Sequence, residues 1–136
     1  MDSSRLDYYT SMVHQRTQFG LFAEEYVRRY LQERGYRILD SNYRKPWGEI
    51  DIITTCKEII IFVEVKASQG EYAGFEPELR VNQEKIKKLI RAARTYLLEK
   101  KYDTKQEWQI DVVAVIVNKR TMIVKFKHYK NIDVEF

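Results

Sequence analysis

Two apolar runs of this chain end in, or enclose, charge. Ile59-Ile60-Ile61-Phe62-Val63 passes directly into Glu64-Val65-Lys66, and thirteen residues before Glu64 lies Asp51, inside Gly48-Glu49-Ile50-Asp51-Ile52-Ile53. Side chains alternate along a strand, so Glu64 and Lys66 point the same way. If the two runs form a hairpin, Asp51 joins them. Two carboxylates and an ammonium on one patch are the groups that a metal-binding, phosphodiester-cleaving site needs.

Two hairpin registers are compatible with the pattern. With Lys57-Glu58 as the turn, Asp51 falls opposite Glu64; with Cys56-Lys57 as the turn, Glu49 does. Either way two carboxylates become cross-strand neighbours. Like charges so placed destabilise a sheet, and more so when partly buried. Lys66 can compensate in part. A divalent cation would compensate further, and hard oxygen donors suit Mg2+.

The surrounding pattern is α/β. Apolar residues at spacings of three and four (Phe19, Ala23, Tyr26, Val27, Tyr30, Leu31) predict a helix over 17–34, stopped by Gly35. Strands are expected over 36–43, 49–54 and 59–66. A loop over 68–77 follows. A second helix from Asn82 to about residue 99 has the stripe Ile86, Leu89, Ile90, Ala93 and Leu97. Strands over 108–117 and 121–129 complete an αβββαββ order. In the middle strands, alternation puts Ile50, Ile52, Ile59, Ile61, Val63 and Val65 on one side. Glu49, Asp51, Ile53, Ile60, Phe62, Glu64 and Lys66 fall on the other. Such a sheet is expected to be buried on both sides, with a polar cluster at one end.

The 136 residues fit one domain over 17–136, preceded by an arm or short helix over 1–16 in which Tyr8 and Tyr9 can anchor locally. At 44% hydrophobic residues the chain can build a core. No apolar stretch approaches the roughly 18 residues of a membrane span, and no signal-peptide hydrophobic region follows Met1. A cytoplasmic protein without a membrane partner is the default expectation. The lone Cys56 excludes an internal disulfide or a cysteine-based zinc cluster and reads as a turn or strand-end residue. Net charge of +4 is compatible with a nucleic-acid partner but does not by itself select one.

Other residues divide between site and scaffold. Glu24 lies about 20° from Leu31 around the first helix, beside its apolar stripe, so it needs a cationic partner or a metal. A core-edge pair with Lys66 is the structural alternative, and ion-pair networks commonly imitate active sites. Glu49 is a secondary candidate whose alternative is a pair with Arg44 or Lys45. Lys87, Lys88, Arg91 and Arg94 share a flank of the second helix and can contact phosphates, or simply face water. Trp47 and Tyr43 can stack on unpaired bases, or make a core or dimer contact. Asp111 is expected to pair with a basic side chain, and His14 and His128 stand isolated in the sequence.

These residues together resemble the PD-(D/E)XK nuclease superfamily, and within it the YraN family of small nuclease-like proteins. The matching stretches are Gly20-Leu21-Phe22-Ala23-Glu24, Asn42-Tyr43-Arg44 with Gly48-Glu49-Ile50-Asp51, and Phe62-Val63-Glu64-Val65-Lys66. Gly74-Phe75-Glu76-Pro77, Lys85, Leu89 and Ile110-Asp111-Val112-Val113-Ala114 continue the likeness. The resemblance implies a restriction-endonuclease-like αβββαβ core, a central mixed sheet flanked by helices, like that of archaeal Holliday-junction resolvases. It implies Glu24, Asp51, Glu64 and Lys66 as catalytic positions, and Gln83 and Lys85, near the start of the second helix, as accessory polar positions. Asp51, Glu64 and Glu24 would be ligands for Mg2+ or Mn2+, and Lys66 would orient or deprotonate water or stabilise charge on the phosphate. DNA is the implied substrate, with nothing to separate it from RNA, and a homodimer would serve junction cleavage by supplying two sites. One departure is Ala67-Ser68, where relatives often carry Thr-Arg. The alternative is a nucleic-acid-binding or scaffold protein that keeps this fold without cutting.

Overall fold

A computed structural model describes residues 18–69 and 83–132. Helix α1 (Gln18–Glu33) is followed by strands β1 (Arg37–Lys45), β2 (Gly48–Cys56) and β3 (Ile59–Gln69), helix α2 (Gln83–Glu99), and strands β4 (Trp108–Asn118) and β5 (Ile123–Tyr129). The strands form one five-stranded sheet in the order β1-β2-β3-β4-β5. β3 and β4 are parallel and the other neighbours antiparallel. This mixed sheet follows from the connections: short turns join antiparallel strands, whereas parallel β3 and β4 need the long α2 crossover. The N-terminal arm, the Gly74-Phe75-Glu76-Pro77 stretch, Asn82 and His14 lie outside the described residues.

Helix α1 buries Ala23, Val27 and Leu31, one residue per turn, against Ile52, Ile61, Val63, Val113, Val115 and Val117. Helix α2 buries Ile86, Leu89, Ile90, Ala93 and Tyr96 against Ile53, Ile60, Phe62 and Ile110 on the opposite side. The sheet is therefore covered on both sides, which explains why β3 and β4 read as nearly continuous apolar runs.

Both helices end in the same hydrogen-bond pattern. After α1, the N–H of Gly35 reaches the carbonyl of Gln32 (3.1 Å) and that of Tyr36 reaches Leu31 (3.0 Å). Gly35 takes the left-handed conformation this cap requires, with φ +89°. After α2, Lys101 N–H to Leu98 (3.1 Å) and Tyr102 N–H to Leu97 (3.0 Å) repeat the motif. There Lys101 adopts φ 58° in place of a glycine.

The turn between β2 and β3 selects the first of the two registers. Cys56 pairs with Ile59, leaving Lys57-Glu58 as the two turn residues. Both have positive φ (51° and 68°), the type I′ pattern whose twist suits a tight hairpin. Cys56 ends β2, as its sequence context suggests.

Simple alternation fails in β2 around Asp51. The paired ladder of β2 and β3 runs from Cys56↔Ile59 to Ile52↔Val63. Beyond it, Ile50 packs with Phe62 and α2, not with Ile52 and α1. This corrects the expected placement of Ile50 and Ile52 on one side. Both ends of Asp51 are thus constrained by core contacts on opposite sides of the sheet. Nearby Gly48 lies so close to α2 that a Cβ would come 2.8 Å from the carbonyl oxygen of Lys88.

Candidate active site

The paired β2–β3 ladder ends at Ile52↔Val63, immediately before Asp51 and Glu64. Asp51 Oδ2 accepts a 2.8 Å hydrogen bond from the backbone N–H of Val65, the residue after Glu64. This bond ties the aspartate to the β3 backbone next to Glu64. Glu64, in the middle of β3 after its apolar run, is only 8% exposed. Val65 packs toward α1, so Glu64 faces the α2 side, and Lys66 follows it by alternation.

Helix α2 delivers a cation to this pair. Lys85 Nζ lies 2.5 Å from Glu64 Oε1. Partial desolvation pulls the Lys85 pKa down, but the charge and hydrogen bond of Glu64, with the charge of Asp51 behind them, more than offset it. The ammonium is therefore held above its ordinary value. That balance places Lys85 within the field of both carboxylates. The sequence names Lys85 only as an accessory position; its distance of 21 residues from Glu64 conceals the contact.

Glu24 is buried at 6% exposure on α1, next to Ala23, on the helix that covers the other side of the sheet. Glu49 pairs with Arg44 across the β1–β2 ladder at 3.5 Å, which matches the structural reading of that residue. Gln83 is the exposed first residue of α2. Lys87, Arg91 and Arg94 border one cavity, but Lys88 is not among its walls. Trp47 lies beneath Arg91, whose guanidinium carbon is 4.1 Å from the ring centroid. Tyr43 packs edge-on against Tyr96 and donates to Glu99, so it is a core-edge residue.

Among the described residues, no three His, Cys, Asp or Glu side chains gather as a ready-made metal cage. The donor pair of Asp51 and Glu64 is the part of the expected ligand set whose neighbourhood the contacts define. It suits Mg2+, which typically takes one or two carboxylates and completes its shell with water and substrate phosphate.

Asp111 belongs to a separate network. Completely buried, it accepts from His128 Nε2 (2.8 Å), the Asn131 backbone (2.8 Å) and Gln109 Nε2 (2.9 Å). With Nε2 donating, His128 Nδ1 is left to accept from the Tyr30 hydroxyl at 3.1 Å. Burial pushes the Asp111 pKa up, but these donors prevail and hold it below the ordinary carboxylate value. His128, isolated in the sequence, is the expected basic partner of Asp111. This network ties α1, β4 and the end of β5 together.

The sequence profile of the uncharacterised protein family UPF0102, the YraN family, matches residues 23–115. The chain belongs to this family. A UPF0102 protein of Fervidobacterium nodosum is 41% identical over 118 residues, covering 84% of this chain and 80% of its own. One from Syntrophotalea carbinolica is 40% identical over 104 residues, covering 76% and 83%. One from Desulforamulus reducens is 37% identical over 118 residues, covering 86% and 96%. The UPF0102 match spans every described element from within α1 to within β4, including Glu24, Asp51, Glu64 and Lys66. The five-stranded mixed sheet with its two helices is consistent with the expected αβββαβ nuclease-like core. No described helix is long and apolar enough to cross a membrane.

Proposed function

We propose that this UPF0102 protein is a metal-dependent nuclease that hydrolyses DNA phosphodiester bonds, with Asp51, Glu64 and Lys66 at its centre and Glu24 in support. The observation that carries the reading is the nearly buried Glu64, set beside Asp51 at a break in strand pairing, with Lys85 Nζ 2.5 Å from its Oε1. Burying a carboxylate next to another is costly, and folds rarely retain it without a use. Branched DNA is the substrate shape to test first, because the likeness to junction resolvases points there.

Asp51 and Glu64 would hold Mg2+ or Mn2+, which when bound supplies Lewis-acid activation of water and neutralisation of phosphate charge. The chain's own groups do the rest. The Val65 N–H fixes Asp51 Oδ2, so the carboxylate's direction is set before any ligand arrives. Lys66 carries its ammonium on the same side as Glu64, where it can orient a water or stabilise negative charge on the phosphate oxygens. Lys85 neutralises Glu64 in the free protein. As phosphate enters, the lysine can exchange that carboxylate for a phosphate oxygen.

The same contacts also suit a purely structural ion-pair cluster, and Mn2+ titration by electron paramagnetic resonance distinguishes the two. The nuclease reading expects wild type to bind Mn2+ and Glu64→Gln to bind it much more weakly. It also expects Lys66→Met to remain folded without activity. The cluster reading expects no Mn2+ affinity, and unfolding of Lys66→Met through uncompensated acids. Metal and DNA binding without cutting would favour a scaffold that retains the fold.

A further inference from the structure

The outer flank of α2 and the start of β4 enclose a cavity of about 430 Å3. Lys87, Arg91 and Arg94 form its cationic side, and Ile90, Leu98 and Trp108 its apolar side; none of the lining residues is acidic. Leu98 is 78% exposed, an unusual place for a large apolar side chain beside a cationic cluster. Lys87 approaches Glu84 at 4.0 Å on the surface. Arg91 is held in place by stacking over Trp47. Three cations on one flank repel one another in the free protein, and phosphates relieve that repulsion.

The position relative to the candidate active site is fixed by two independent paths. Lys85 touches Glu64 at the start of α2. Nine residues further on, Arg94 lies about 13 Å along the helix at about 1.5 Å per residue. On the sheet, Trp108 pairs with Ile60, four residues before Glu64, again about 13 Å at about 3.3 Å per residue. That span is about four stacked nucleotide steps, and fewer in an extended strand.

We infer that this cavity seats an unpaired nucleotide of a DNA strand, its base against Leu98 and Trp108 and its flanking phosphates on Lys87, Arg91 and Arg94. The inference rests on the nuclease reading only for the identity of the ligand. A base-paired duplex presents phosphates but no base face. The apolar half of the cavity therefore favours a single-stranded segment, since aromatic and apolar surfaces engage the face of any base. The seat implies that the preferred substrate carries an overhang, flap or opened junction a few nucleotides from the cut.

The test is fluorescence anisotropy with labelled single-stranded and blunt duplex oligonucleotides in EDTA. Binding is then read without catalysis, so an inactive enzyme does not obscure the result. The full chain is compared with Leu98→Asp and Arg94→Glu, both at exposed positions. The expected result is a loss of single-strand affinity of about tenfold or more in each variant, with Leu98→Asp changing duplex affinity much less. Replacing one nucleotide of the strand by an abasic unit should abolish the difference between wild type and Leu98→Asp on that strand. Equal losses on both substrates would overturn the base seat in favour of a plain phosphate-binding surface. Unchanged single-strand affinity in either variant would overturn the inference altogether. Cutting without this binding pattern would leave the nuclease reading standing and remove the seat alone.

Discussion

Lys85 Nζ and Glu64 Oε1 lie 2.5 Å apart, joining the first turn of α2 to the middle of β3. The lysine side chain is 60% exposed and the glutamate 11%. The contact is therefore asymmetric: water already serves the ammonium, whereas the carboxylate depends on it.

That asymmetry predicts the behaviour of Lys85→Met. The pair is half in solvent, so its loss should cost about 1 kcal/mol and lower Tm by about 3–5 °C. Millimolar Mg2+ should restore more stability to this variant than it adds to wild type, because the competing ammonium is gone. Thermal melts with and without the ion check this; an equal Mg2+ effect in both proteins would remove Lys85 from the metal's neighbourhood.

Alkaline pH should act on the same contact. The Lys85 pKa is raised by Glu64 and Asp51. Its contribution to stability is thus fully present below the unfolded lysine value, about 10.4, and is lost as pH rises through the folded value. Urea titrations from neutral pH upward should show a loss in wild type that is absent in Lys85→Met.

The buried Asp111 network predicts the opposite pH dependence. The folded pKa of Asp111 lies below the ordinary 3.8. Its stabilisation is present above about pH 4 and disappears as pH falls through the folded value. Asp111→Asn puts an amide donor among three donors and should cost about 2–4 kcal/mol at neutral pH. Denaturant curves at pH 7 and pH 3 should converge for wild type and variant in acid.

The helix caps offer a paired test. Gly35→Ala meets no neighbouring atom, so its cost is conformational, about 1 kcal/mol from φ +89°. Lys101→Gly relieves the same strain at φ 58° and should be neutral or stabilise by up to about 1 kcal/mol. Gly48→Ala should cost more, about 1–3 kcal/mol, because its Cβ would meet the α2 backbone at 2.8 Å. Equilibrium unfolding of the three variants ranks them directly.

The element order was readable because the helices and strands carry strong, different periods. Finer features depend on tertiary contacts that periodicity does not report. Lys57-Glu58 lacks the Asn-Gly signal of a type I′ turn, so the sequence is compatible with two registers and the tertiary fold selects one. Ile50 departs from alternation because β2 breaks its pairing with β3 at Asp51, and strict period-two reading has no place for such a break. His128 looks isolated because Asp111 is 17 residues away and Tyr30 is 98. Glu64 and Lys66 are conspicuous in sequence for a different reason: charge directly after an apolar run violates the burial pattern, which is where functional sites are expected.

The most direct test of the central claim is cleavage of labelled single-stranded, duplex, flapped and four-way-junction DNA with Mg2+ or Mn2+, alongside Glu64→Ala and Lys66→Ala. The account predicts cutting that vanishes with EDTA and in both variants, each still folded by circular dichroism. Folded wild type that cuts none of these substrates with either metal would contradict it.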